Sequence, residues 1–210
     1  MKNRKLTAAE MGRISPEEYR SRNVSGTVIV LDNVRSAYNV GSAFRSADAF
    51  GVSAVYLCGI CAVPPSAEIH KTALGAEEAV PWRHFADTLE AVAALKAEGY
   101  TVVSVEQTEN SVKLAAGGVP PEACATLGTI RGGTVSAANG GAERSEAAEG
   151  GSTPGSAKLA FIFGNEVEGV QQAVVDASDF CLEIPQHGTK HSLNVAVTVG
   201  IVLFATSPAR

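Results

Sequence analysis

Three short clusters hold most of the side chains in this sequence that could do chemistry. Residues 32–51 read DNVRSAYNVGSAFRSADAFG, residues 163–170 read FGNEVEGV, and residues 184–205 read IPQHGTKHSLNVAVTVGIVLFA. The first carries Asn39 and Arg45 in an N-x-G-x-x-x-R spacing. Arginine keeps its charge at any ordinary pH and is a poor proton acceptor, so Arg45 is suited to bind a phosphate or to stabilise an oxygen that is gaining negative charge. The second cluster sets Glu166 two residues after Gly164, and the third sets Ser192, Leu193 and Asn194 where an apolar helix opens. Glycines at 164 and 188 let backbone N–H and C=O groups come close to a ligand, while Ile184 and Leu193 offer apolar contact to a flat ring. Chemistry built from such parts works by positioning and electrostatics.

Each cluster also has a plain structural use. Asn39 and Arg45 fit a turn followed by an exposed arginine, Glu166 fits a carboxylate favoured by a helix dipole, and Ser192 and Asn194 are residue types that cap helices. Other motifs carry less. Cys58 and Cys61 have C-x-x-C spacing, but zinc needs two more ligands and no second pair exists; a redox centre should open a helix, whereas Ala-Val-Pro-Pro follows. His187 and His191 share a helical zinc spacing, yet Gly188 between them reads as a loop and no H-E-x-x-H occurs. No metal is expected. Trp82, after Pro81, is expected to pack in the core or at its rim. The phosphate-binding patterns G-x-G-x-x-G and G-x-x-x-x-G-K-[ST] are absent, as is a G-x-S-x-G elbow around Ser192.

The elements that must position these clusters are an alternation of strands and helices. Apolar or β-branched runs at 27–31, 54–57, 100–105, 159–163 and 180–184 lie between helix-period segments. That order predicts an α/β domain with a mainly parallel sheet flanked by helices. The runs are nearly all apolar, as in strands covered on both faces. Each cluster then stands at the carboxyl end of a strand, where open α/β sheets bind ligands. A helix over 42–50 puts Ala43, Phe44, Ala47 and Phe50 on one stripe, is closed by Gly51, and leaves Arg45 off that stripe. Asp87 and Glu90 form a capping-box pattern ahead of Leu89, Val92, Ala93 and Leu95, with Gly99 as the C-terminal cap.

Composition bounds the rest. A chain of 210 residues, 45% hydrophobic, suits one core: a basic arm over 1–22 and an α/β domain over 23–210. The net charge of −5 speaks against a wholly basic surface, but residues 1–22 hold six basic side chains against three acidic ones, enough for an RNA-contacting arm. Residues 131–156 are rich in Gly, Ala and Ser and poor in residues that could pay back ordering entropy, so a mobile inserted loop is expected there. Four cysteines and the lack of an apolar leader point to a reducing cytoplasm. The apolar run at 195–205 is well short of the roughly 20 residues a membrane span needs, so no membrane segment is expected.

In order and spacing the three clusters resemble the motifs of the SpoU/TrmH-type branch of the SPOUT RNA methyltransferases, over about residues 28–205. The resemblance implies a C-terminal trefoil knot, which periodicity does not show and general experience of folds disfavours. It implies S-adenosylmethionine as cofactor, a ribose 2′-hydroxyl of structured RNA as acceptor, and a homodimer. Asn39 and Arg45 match the first motif on its catalytic side, Gly164 and Glu166 match the second, and Ile184, Ser192, Leu193 and Asn194 match the third. By that resemblance the catalytic candidates are Asn39, Arg45, Glu166, Ser192 and Asn194. Gly164, Ile184, Ser192, Leu193 and Asn194 are the cofactor-binding candidates. Gln186 stands where the family often has methionine, and Ala196 where serine often follows Asn-Val. Many ribosomal-RNA members carry an extra N-terminal RNA-binding domain that this sequence lacks, which tilts the expected substrate toward tRNA over rRNA. A catalytically inactive RNA-binding module of the same fold is the alternative, and the intact Arg45, Glu166 and Asn194 count against it. The helix at about 194–205 is apolar nearly all round, so it must be buried on more than one side; the resemblance supplies a partner subunit, with Arg45 facing the cofactor of the other chain.

Overall fold

Alternation within the apolar runs decides which side of the sheet each residue faces. In the computed structural model, which describes residues 3–7, 10–12, 14–21, 25–114, 158–190 and 192–207, β1 (Thr27–Asp32) turns Ile29 and Leu31 to one face and Val28 and Val30 to the other. β6 (Leu159–Phe163) does the same with Phe161 and Phe163 against Ala160 and Ile162. Both faces are therefore buried, as a parallel sheet requires. The other strands are β2 (Ala54–Cys58), β3 (Trp82–Phe85), β4 (Thr101–Val105), β5 (Val112–Lys113) and β7 (Phe180–Glu183). Among the described residues they form one sheet in the order β3-β2-β1-β6-β4-β7-β5, with every pairing parallel.

Helices cover both faces. On one lie α1 (Pro16–Ser21), α2 (Ala37–Phe50), α3 (Ala67–Ala73), α4 (Ala76–Ala79) and α7 (Val195–Thr206); on the other lie α5 (Thr88–Ala97) and α6 (Gln172–Ala177). The sheet-facing side of α7 buries Val195, Val199, Val202 and Leu203. Burial of such side chains contributes about 1.5–3 kcal/mol each, and this is the dominant reason the helices stay on the sheet.

Several sequence expectations change. The helix expected over 42–50 begins at Ala37, because Ser36 caps it by accepting from the Asn39 N–H (3.3 Å). Gly41 lowers the local helix propensity, but here it allows close packing: a Cβ would run into the Ile69 carbonyl and the Thr72 side chain of α3. Phe50 at the end of the predicted stripe is only half-buried, and Gly51 closes the helix at φ +66°. In α5 the buried set is Thr88, Ala91, Val92 and Leu95, while Leu89 and Ala93 face outward. Asp87 caps this helix through the Leu89 N–H (2.9 Å), and Gly99 has φ +80°.

The short strands β3 and β5 and the helices α3 and α4 have no strong sequence signal. β3 reads WRHF, with polar residues on an edge. Residues 16–21, within the stretch expected to be a basic arm, form α1. Its Tyr19 is buried and donates its hydroxyl to the Val52 carbonyl (2.8 Å) beyond the end of α2. The loop expected over 131–156 lies outside the described residues.

Candidate functional site

The carboxyl ends of β1, β6, β4 and β7 come together where the strand order reverses about β1 and β6, the usual ligand position in an open α/β sheet. The segment after β6 is a tight loop. Asn165 and Gly169 exchange backbone hydrogen bonds, both 3.1 Å, and Asn165 Oδ1 accepts from the Val167 and Glu168 N–H groups, both 2.8 Å. Glu166 is thereby carried exposed at the tip. A side chain at Gly164 would overlap the backbone of Gly169 and Val170, so that position must stay bare for the loop to close.

Two acidic residues brace this loop. Asp32, fully buried at the end of β1, accepts from Thr88 Oγ1 (2.6 Å), Gln171 Nε2 (2.8 Å), the Gln171 N–H (2.9 Å) and Asn33 Nδ2 (2.9 Å). Glu106, after β4, accepts from the Val170 N–H (3.0 Å) and the Gln107 N–H (2.8 Å). Sequence reasoning gave neither a role. The available signal was a lone carboxylate ending an otherwise apolar strand, which burial forces to find donors.

Glu166 ties the second cluster to the first. Its Oε1 accepts from Asn39 Nδ2 (2.8 Å) and the Ser36 N–H (3.4 Å), and its Oε2 from the Arg35 N–H (3.3 Å). Partial burial works to raise its pKa, but the bonds from Asn39 and from the amides of Glu166, Arg35 and Ser36 outweigh that and hold the carboxyl below its ordinary range. Asn39 in turn accepts, through Oδ1, from Asn194 Nδ2 (3.1 Å). Asn194 Oδ1 caps α7 by accepting from the N–H groups of Ala196 (2.9 Å) and Val197 (3.4 Å). Capping α7 and bonding Asn39 therefore coexist on the one Asn194 side chain. Glu166, Asn39 and Asn194 form a continuous hydrogen-bond chain that joins all three clusters.

Beside this chain opens a cavity of about 390 Å³. Its lining includes Gly164, Glu166, Ile184, Ser192 and Leu193 from the predicted set, with Val105 and Phe163 adding apolar wall. Gln186 lines it as well.

Arg45 stands apart. It is exposed on α2, six residues beyond Asn39, which is about 9 Å along a helix and about 120° away around its axis. It does not line the cavity, and among the described residues it has no ion pair or hydrogen bond. Cys58 and Cys61 are buried thiols, pushed up to about 12 and about 11 chiefly by desolvation, so thiolate chemistry at neutral pH is disfavoured. Cys61 Sγ accepts from the Val34 N–H (3.1 Å) and donates to the Leu31 carbonyl (3.3 Å), a local brace for the β1 end. His187 is exposed, and His191 lies outside the described residues. Trp82 starts β3 at the rim of the sheet and is half-buried.

Comparison with known proteins places these features in a family. A 23S rRNA (guanosine-2′-O-)-methyltransferase of Nitrosomonas europaea is 31% identical over 179 residues, which is 85% of this chain and 55% of that protein. The chain thus spans little more than half the length of that relative. The AdoMet-bound rRNA methyltransferase of Sinorhizobium meliloti superposes with a TM-score of 0.59 at 27% identity, covering 92% of this chain and 60% of the other. The TrmH/SpoU tRNA modifying enzyme of A. aeolicus shares the fold, with a TM-score of 0.63 at 20% identity over 91% of this chain and 78% of that one. Residues 26–204 match the family described as SpoU rRNA Methylase, and with the three motifs joined by one hydrogen-bond chain at the sheet's carboxyl edge, the chain belongs to that family.

Proposed function

We propose that the protein transfers the methyl group of S-adenosylmethionine to a ribose 2′-hydroxyl of RNA and works as a homodimer. The observation that carries this reading is the Glu166–Asn39–Asn194 chain beside the cavity, which gives each family motif a place in a single site. The cavity fits the cofactor: about 390 Å³ falls in the range of small-molecule pockets, and Ile184 and Leu193 can sandwich a flat base while backbone near Gly164 meets its edge. Ser192 and the loop held by Asn194 complete the binding wall. When bound, S-adenosylmethionine supplies an electrophilic methyl group on a sulfonium.

The protein's own share of the reaction is alignment and charge. Glu166, anionic at neutral pH, fixes the Asn39 amide, and Asn39 fixes Asn194; these are positioning roles. Arg45 is the fixed cation that binds the target phosphate and stabilises the forming alkoxide. In one chain it does not line the cavity, and its exposure without a partner among the described residues suits service across a dimer interface. Packed beside α2, α7 exposes Val197 and Phe204, the latter 75% accessible and packed edge-to-face on Phe50 of α2 with ring centroids 6.4 Å apart. An apolar face of that kind suits a second copy of the chain. The knotted path of the C-terminal segment belongs to the same reading.

Ribosomal RNA is the preferred substrate class, since the Nitrosomonas relative is named for 23S rRNA; this replaces the lean toward tRNA drawn from the sequence. No described helix is long and apolar enough to cross a membrane, and action in the cytoplasm is part of the proposal. The test is incubation with cellular RNA and S-adenosylmethionine labelled in its methyl group. Label is expected in RNA with wild-type protein and not with Arg45→Ala, which should keep cofactor affinity near wild type; equal labelling by the variant would remove Arg45 from the mechanism.

A further inference from the structure

Resting on the RNA-methyltransferase reading above, we propose that Tyr38 and Lys71 form a stacking site for an unpaired nucleobase of the RNA substrate. Tyr38 lies in the first turn of α2 directly before Asn39, the central member of the hydrogen-bond chain. Despite its size it is 44% exposed, and its hydroxyl has no hydrogen-bond partner among the described residues. It therefore serves no evident packing need. The Lys71 ammonium stands 5.7 Å from the centre of its ring, a cation–π arrangement.

The helices that carry the pair are held together by contacts between α2 and α3. Thr72 Oγ1 donates to the Tyr38 carbonyl (2.9 Å), and bare Gly41 sits flush against Ile69 and Thr72. Ring and cation thus ride on two helices whose separation is fixed at Gly41. The chemistry matches RNA: sequence-tolerant protein–RNA contacts stack splayed bases on aromatic rings, and a neighbouring cation meets the phosphate backbone. A methyltransferase acting on a ribose must present that sugar with its base out of the way of the cofactor. An aromatic surface one residue from Asn39 is placed to hold a base while the sugar enters the site.

The probe is an unmodified in vitro transcript of 23S rRNA, with binding by fluorescence anisotropy, methyl-transfer kinetics, and S-adenosylmethionine affinity by calorimetry. Tyr38→Ala is expected to weaken transcript binding about tenfold and to raise KM for RNA in proportion, with kcat moved far less. Tyr38→Phe restores both. Lys71→Gln weakens binding about threefold, and that difference shrinks at high salt. Cofactor affinity stays within twofold in all three. Transcript binding by Tyr38→Ala within twofold of wild type would overturn the stacking site, as would equal defects in Tyr38→Ala and Tyr38→Phe. If the wild type binds but does not methylate this transcript while Tyr38→Ala still loses affinity, the stacking site stands and the substrate assignment falls. Failure of the wild type to bind RNA overturns both.

Discussion

Asn194 uses the two ends of its amide for different purposes: its oxygen caps α7 and its nitrogen reaches Asn39. The two uses can be separated. Asn194→Ala removes both, and loss of the cap is expected to destabilise the protein by about 1 kcal/mol in denaturant unfolding while lowering cofactor affinity. Asn194→Asp keeps a capping oxygen and loses the donor to Asn39. It should retain near wild-type stability yet lose affinity for S-adenosylmethionine by calorimetry; if both variants bind the cofactor normally, Asn194 is a cap and nothing more. Glu166 makes a prediction in pH. Its folded-state pKa lies below the ordinary carboxylate value of about 4.3, so its stabilising bonds are complete above that value and are lost as pH falls through the lower folded value. The stability gap between wild type and Glu166→Gln should be flat from neutral pH to about 5 and should close in more acidic solution. A gap that instead grew on acidification would reverse the assigned direction.

At the scale of elements, the strands that hold the site were legible and the links between them were not. Runs such as LAFIF at β6 and TVIVL within β1 can only be strands covered on both faces, and they were placed to within a residue. The start of α2 was hidden by Gly41, whose low propensity is offset by close packing on α3 that no local pattern reveals. β3 was hidden because WRHF is an edge strand with little apolar character. The bond from Asn39 to Glu166 spans 127 residues and that from Asn194 to Asn39 spans 155, so only the family resemblance hinted that these side chains share a site. Asp32 was missed for the same reason: its four donors come from the β1 end, α5 and the start of α6. Replacing it with alanine leaves buried donors unpaired and should cost about 3 kcal/mol of stability by chemical denaturation. A loss under about 1 kcal/mol would mean that water replaces the carboxylate. Gly164→Ala should prevent closure of the 164–170 loop and abolish cofactor binding, since the added carbon overlaps the Gly169–Val170 backbone.

The whole molecule poses the question of where a complete site resides. With a net charge of −5, the proposed RNA substrate would be met by local features, among them Arg45, Lys71 and the basic N-terminal stretch, rather than by the average surface. Arg45 and the cavity lie on different parts of one chain, while α7 leaves Phe204 and Val197 uncovered beside α2. A dimer that covers this face resolves both features. Sedimentation over a wide concentration range should give twice the 21.6 kDa chain mass. Mixing Arg45→Ala with Asn194→Ala chains should restore part of the activity if the site is shared, and none if each chain is self-sufficient. Methyl transfer to a ribose 2′-oxygen can be checked by alkaline hydrolysis of 23S rRNA methylated by the protein with labelled S-adenosylmethionine. A 2′-O-methyl group blocks strand cleavage at its own nucleotide, so all of the label is expected in alkali-resistant dinucleotides. Label recovered in mononucleotides would place the methyl group on a base and contradict it.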